Sequence, residues 1–170
     1  SPGLNARTQI VAPAGNWQTQ VQGAGPQLTD IRNWPVETGR FFDDSDVSRA
    51  ATVAVLGQVV RNQVFGAGVD PVGKIVRINN QPFTVIGILS AKGQGPMGQD
   101  QDDTVIVPYT TVQKRLSGVT FVSSITVATA EGTPTSDVTA GISALLRIRH
   151  KLASGQDDDF SAPFHRIRIE

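Results

Sequence analysis

The sequence contains no cysteine, which excludes disulfides, thiolate nucleophiles and cysteine-ligated metal sites while fitting a reducing cytosol and an oxidising compartment equally well. Histidine is almost as scarce. His150 and His165 are the two copies, one at a basic helix end and one in the C-terminal tail, too few for a triad or a zinc site. No stretch approaches the roughly 18 consecutive apolar residues of a membrane-spanning helix, and the N-terminal region lacks the basic start and apolar middle of a secretory signal. Charge of one sign is missing too: 15 basic residues face 15 acidic ones, so no global field draws nucleic acid or anionic lipid. Gly66-x-Gly68 and Gly93-x-Gly95 are isolated glycine pairs without a phosphate-binding continuation. Aromatic residues are few, whereas 17 Gly and 10 Pro point to short strands joined by many turns.

Local signals agree best over Thr52–Leu89. Thr52, Val53, Ala54, Val55 and Leu56 form a β-branched apolar run, which predicts a strand buried on both faces. After Gly57 the spacing changes: Val59, Val60, Val64 and Phe65 recur at helical intervals and predict a short amphipathic helix. Asp70-Pro71-Val72-Gly73 has Asp first, Pro second and Gly fourth, the pattern of a type I turn. Lys74–Ile78 and Phe83–Leu89 then read as hairpin strands around Asn79-Asn80-Gln81-Pro82, where Asn tolerates a left-handed backbone.

On either side the signals are shorter. Arg7–Pro13 and Trp17–Gly23 read as strands with a turn at Gly15-Asn16, and Pro26–Asn33 reads as a short helix stopped by Pro35. Asp43-Asp44-Ser45-Asp46 is assigned to helix capping, because it lacks the alternating ligands, central Gly and closing Glu of an EF-hand calcium loop. Ala91–Gln101 has to be a loop, and Asp100, Asp102 and Asp103 at its far end are assigned to turn and backbone hydrogen bonding. Thr104–Val107 reads as a buried strand, Tyr109–Leu116 as a helix ended by Gly118, and Phe121–Ala128 as an alternating strand. The longest helix starts near Thr135. Val138, Ile142, Leu145, Leu146, Arg149 and Leu152 trace one stripe along it, and basic residues load its C-terminal end, complementing the dipole.

The ordered motifs VAVLG (53–57), VFG (64–66), DPVGK (70–74), PFTVIGIL (82–89), MGQDQDD (97–103) and IVPYTT (106–111) resemble the periplasmic core domain of MacB-type, FtsX-like ABC transporter permeases. The resemblance runs over roughly residues 16–160. With the pattern above it implies an α+β fold of two lobes. A layered α/β porter-like lobe would comprise residues 1–38 and 119–160, with strands beneath the long helix, and a mainly β sabre-like lobe, residues 39–118, would be inserted into it. Residues 161–170 are a divergent tail. The family's opening strand and helix have no equivalent here, so the first lobe is expected to lack its N-terminal part, leaving an edge able to pair with another copy.

The same resemblance implies a non-catalytic piece, without cofactor or metal, excised from between two membrane spans of a bacterial inner-membrane protein and lying in the periplasm. Its implied partners are a periplasmic adaptor of the membrane-fusion type, indirectly an outer-membrane channel, and a second copy in a homodimer; nucleic acid is not among them. Macrolides, peptides or similar compounds would be the cargo, and ATP hydrolysis would lie in another domain. The polar loop Lys92–Gln101 and the connection Gly66–Val69 are the expected partner-facing surfaces, through Gly66, Val69, Lys92, Gln94, Met97 and Gln99. Two other readings stay open. One is a related permease ectodomain serving lipoprotein release or cell-wall hydrolase activation; the other is a stand-alone hydrolase or small-molecule binder, which needs a deep pocket with convergent polar groups.

Overall fold

In the computed structural model, which describes residues 1–95, 98–130 and 132–162, the chain begins as a long β-hairpin. β1 (Pro2–Ala12) and β2 (Gly15–Ala24) pair antiparallel from Gly3 opposite Ala24 to Ala12 opposite Gly15. Pro13 and Ala14 therefore make the turn, two residues before the expected Gly15-Asn16. β1 also starts earlier than Arg7, because its first residues, weak in β propensity, are held by their partners. A single helical turn, α1 (Leu28–Ile31), leads to β3 (Val36–Gly39), an element too short and polar to announce itself in the sequence. α2 (Asp44–Ser48) opens with a reciprocal capping box: the Asp46 N–H donates to the Asp43 side chain at 2.9 Å and the Asp43 N–H to the Asp46 side chain at 3.3 Å.

β4 (Val53–Leu56) and α3 (Gln58–Phe65) follow as the spacing predicts. At Asp70–Lys74 the turn differs from expectation. Its hydrogen bond runs from the Lys74 N–H to the Pro71 carbonyl at 2.9 Å, with Gly73 third at φ +83, while the Asp70 carboxylate caps the Val72 N–H at 3.0 Å. β5 (Ile75–Ile78) and β6 (Gln81–Leu89) form a tight hairpin through Asn79 and Asn80, both left-handed at φ 48 and 63, as the Asn pair predicts. β7 (Thr104–Pro108) leads into α4 (Tyr109–Thr111), which runs on as a π-helical stretch, Val112–Ser117, ended by left-handed Gly118. β8 (Ser124–Ile125) is much shorter than Phe121–Ala128, because only the start of β1 is available to pair with it.

Six strands close on themselves in the order β1-β2-β7-β4-β6-β5, with β5 returning to β1 through Ile10 opposite Ile78 and Val11 opposite Arg77. The β2–β7 and β4–β6 pairings are parallel and the others antiparallel; β3 adds to β6 and β8 to β1. The barrel thus takes β1 and β2 from the stretch expected to build a porter-like lobe and β4 to β7 from the stretch expected to build a sabre-like one. The chain forms two compact units, Ser1–Val127 and Ala128–Glu170.

Ile10, Val21, Leu56, Val76, Ile78, Phe83 and Val85 fill the barrel, together with Val60, Val64 and Phe65 of α3 and Val112. A second cluster lies on the outer face: Leu28, Trp34, Phe42 and Val47 cover Val55, Leu89 and Ile106. The second unit, Ala128–Glu170, contains α5 (Thr135–Arg149). Arg147 gathers the chain that follows, donating to the Ala153 and Gln156 carbonyls at 3.0 and 2.7 Å and pairing with Asp158. None of the residues of α5 is buried, and Leu145 and Ile148 are 54% and 73% exposed. No helix among the described residues is long and apolar enough to cross a membrane. Residues 163–170, most of the divergent tail, lie outside them.

Candidate functional site

The loop between β6 and β7 is long and polar in sequence, yet it is stapled at its base by one carboxylate. Asp102, only 6% exposed, accepts the Lys92 N–H at 2.8 Å and the Gly93 N–H at 3.0 Å, while its own N–H donates to Asp100 at 2.9 Å. Above it the Gln101 N–H donates to the Gly93 carbonyl at 3.0 Å and the Gly95 N–H to the Gln99 carbonyl at 2.8 Å, with Gln94 bridging to Asp100. Assigning the Asp residues to backbone hydrogen bonding thus describes Asp102 well. What the sequence did not disclose is that a buried carboxylate turns a glycine-rich loop into a short ladder.

The staple continues into the barrel. The Asp102 carbonyl accepts the Val59 N–H at 3.3 Å and the Thr104 carbonyl accepts the Gly57 N–H at 2.9 Å, seating the loop on the first turn of α3. A Cβ at Gly57 would lie 2.2 Å from the Asp102 carbonyl oxygen, so only glycine permits this approach. On the other side, Lys92 Nζ donates to the Arg32 carbonyl at 2.9 Å and lies 5.2 Å from the centroid of the Trp34 ring. Burial and then the nearby Arg32 charge push the Lys92 ammonium below its usual range, with Asp102 acting the other way. The Trp34 indole donates to the Ser90 carbonyl at 2.7 Å.

The expected partner-facing residues fall into distinct settings. Gln94 and Gln99 are exposed on the loop, Lys92 is turned into its base, and Met97 lies outside the described residues. Gly66 ends α3 at φ 97, and Val69 packs its side chain against the barrel core. The loop base meets the start of α3 and the Gly66 turn its end, about 12 Å apart for an eight-residue helix. The two expected surfaces are therefore separate.

A second polar cluster surrounds Asp46, whose side chain is fully buried and receives Arg40 at 2.8 Å and Arg49. Burial by itself would raise this carboxyl; the hydrogen bonds from Arg40, Arg49 and the Asp43 N–H outweigh it and hold Asp46 below the ordinary carboxylate range. His150 pairs with Asp159 at 2.7 Å. Among the described residues, no group of three His, Cys, Asp or Glu could hold a metal ion. A groove of about 300 Å³ beside β6, lined by Arg40, Val72, Thr84 and Ile86, brings no pair of titratable groups together.

Known proteins share this sequence pattern and this fold. The family described as MacB-like periplasmic core domain matches residues 1–145. The macrolide export ATP-binding/permease protein MacB of Rhodospirillum rubrum is 42% identical over 135 residues, 79% of this chain and 21% of that protein. Its namesake from an Azoarcus species is 48% identical over 119 residues, 70% and 18% respectively. The pyoverdine export ATP-binding/permease protein PvdT of Pseudomonas entomophila is 37% identical over 145 residues, 84% and 22%. The chain therefore spans about a fifth of the length of these curated relatives. The crystal structure of the periplasmic region of MacB from Actinobacillus actinomycetemcomitans matches with a TM-score of 0.76 at 26% identity, over 88% of this chain and 66% of that one. The extracellular domain of the ABC-type transporter YknZ from Gram-positive bacteria shares the fold, with a TM-score of 0.74 at 20% identity over 88% and 74%. By its motif order, its fold and its sequence identity, the chain belongs to the MacB-like periplasmic core domain family.

Proposed function

We propose that the chain is the non-catalytic periplasmic domain of a bacterial inner-membrane ABC exporter permease. It docks a periplasmic adaptor of the membrane-fusion type, acts within a homodimer, and passes ATP-driven movement towards an outer-membrane channel. Macrolides, peptides or similar compounds are the cargo. The observation that carries this reading is the family match over residues 1–145, joined by relatives named as macrolide and pyoverdine exporters.

The loop supports it physically. A surface that relays displacement has to resist flexing, and the Asp102 staple and the seat on α3 connect the loop directly to a close-packed core. Gln94 and Gln99, with Met97 between them in sequence, form the docking surface; Lys92 anchors it, and Gly66 and Val69 shape a second contact at the far end of α3.

The test is surface plasmon resonance between the immobilised chain and the purified adaptor from the same genome. Saturable binding is expected, weakened about tenfold by Gln94→Ala with Gln99→Ala, a change of about 1.4 kcal/mol. Absence of adaptor binding, with a lipoprotein carrier or a cell-wall hydrolase activator bound instead, overturns the efflux reading. An affinity untouched by replacing the loop tip and the Gly66–Val69 turn removes both surfaces.

A further inference from the structure

The outer face of the β1–β2 hairpin is almost entirely carboxamide. Asn5 stands opposite Gln22, Arg7 opposite Gln20, Gln9 opposite Gln18 and Val11 opposite Asn16. Among the described residues none of these polar side chains hydrogen-bonds to another protein group; the Gln20 contact with Thr104 is made by its main-chain carbonyl. Exposed carboxamides satisfied by water are ordinary on a sheet surface. Here, however, they border a cleft of about 230 Å³, where β2 parts from the segment entering β7 and where Arg7, Gln18, Gln20, Gln99, Asp100 and Asp103 converge.

The floor of that cleft is built. One oxygen of Asp103 is held by the Trp17 indole N–H at 2.9 Å and the Thr19 hydroxyl at 2.7 Å. This fixes the carboxylate and leaves its second oxygen without a donor among the described residues. Asp100 is oriented by the Asp102 N–H at 2.9 Å. Three carboxamides, two fixed carboxylates and one guanidinium therefore face a common space.

Their chemistry narrows the ligand. A carboxamide donates and accepts, a carboxylate only accepts and a guanidinium only donates. Hydroxyl groups do both, so a ligand dense in hydroxyls can satisfy every member of the set. A cation would be opposed by Arg7 and an anion by Asp100 and Asp103. An apolar ligand would strip water from these groups without replacing its hydrogen bonds. The lining has no aliphatic or aromatic recess for a peptide side chain. We propose that this cleft, continued across the carboxamide face, is a binding site for a neutral saccharide. The site shares Gln99 with the proposed docking surface, but Arg7, Gln18 and Gln20 are carried by the hairpin, so replacing those hairpin residues tests it separately from adaptor docking.

The test is an NMR titration of the ¹⁵N-labelled 170-residue chain with maltotriose and with chitotriose, and in parallel with triglycine and magnesium chloride. At least one trisaccharide is expected to shift the Gln18 and Gln20 side-chain amides and the Trp17 indole with saturation near about 1 mM, a weak carbohydrate affinity. Gln18→Ala with Gln20→Ala should weaken binding at least about tenfold while the signals of β4 and β6 stay in place. The exposed Gln27→Ala should leave binding unchanged. The proposal is overturned if neither saccharide saturates, if the double variant binds as well as the wild type, or if only triglycine or only magnesium gives the shifts.

Discussion

The barrel treats its outer surface in opposite ways on two sides. Over β4, β7 and the end of β6, Leu28, Trp34, Phe42 and Val47 cover Val55, Ile106 and Leu89, so these strands are buried on both faces. Over β1 and β2 no comparable apolar cluster lies among the described residues of the barrel unit, and Asn5, Arg7, Gln9, Gln18 and Gln20 are exposed. The difference explains why VAVL and TVIVP are continuous apolar runs while the hairpin alternates. It also separates two kinds of polar group. On the covered side Asp46 and Asp102 are buried and fully engaged by protein partners; on the open side the carboxamides keep their hydrogen-bonding capacity for solvent or a ligand.

Substitutions on the two sides should differ accordingly. Phe42, fully buried and stacked on Phe41 at 4.1 Å between ring centroids, is the strongest probe of the covered side. Phe42→Ala should cost about 3–5 kcal/mol of unfolding free energy in urea titration. A loss below about 1 kcal/mol would mean that the outer cluster is not a second core. Asp102→Ala should cost about 1–3 kcal/mol by stranding the Lys92 and Gly93 N–H groups. Faster amide hydrogen exchange should appear in loop residues 92–101 but not in β1 or β2; slow exchange there would remove the staple from the account.

Asp46→Asn tests the covered side electrostatically and should cost about 1–2 kcal/mol near neutral pH, in the range of a lost cap. Because the folded protein holds Asp46 below the ordinary carboxylate range, its contribution is complete above about pH 4 and is lost as pH falls through the lowered folded value. The wild type should therefore lose stability more steeply than Asp46→Asn in that acid window; parallel curves would exclude the effect. On the open side, Gln18→Ala with Gln20→Ala should change thermal stability by no more than about 0.5 kcal/mol, even though it alters the cleft. A larger loss would show that the carboxamide face contributes to the fold.

Several elements were legible from neighbouring residues alone. β4 is a β-branched run, α3 has its apolar residues at helical spacing, and the β5–β6 hairpin is marked by two adjacent Asn that accept left-handed backbone. The Asp-rich stretch before α2 was legible as a cap for the same reason: a cap is satisfied within one helical turn. β3 escaped because four residues pairing with the far half of β6 carry no periodic pattern. Phe121–Ala128 alternates well but forms a ladder only at Ser124 and Ile125, because a strand needs a partner as well as a pattern. The loop was legible as a loop. Its stiffness was not, since the groups that close its base lie about ten residues apart in sequence. Neither were the cleft's convergent groups, which come from β1, β2 and the loop.

By itself the sequence determined the local backbone vocabulary and the family: which segments extend, which coil, where glycine or asparagine must turn, and an order of motifs shared with MacB-like domains. These follow from steric preference and side-chain spacing over a few residues, and they survive without knowledge of distant contacts. Tertiary structure alone decided that β5 returns to β1 to close a barrel, that strands from both expected lobes join one sheet, and that Asp102 staples a loop where Asp100 and Asp103 border a cleft. Each depends on pairing between residues far apart in the chain. The local pattern permits several such pairings, and the burial of one common core selects among them.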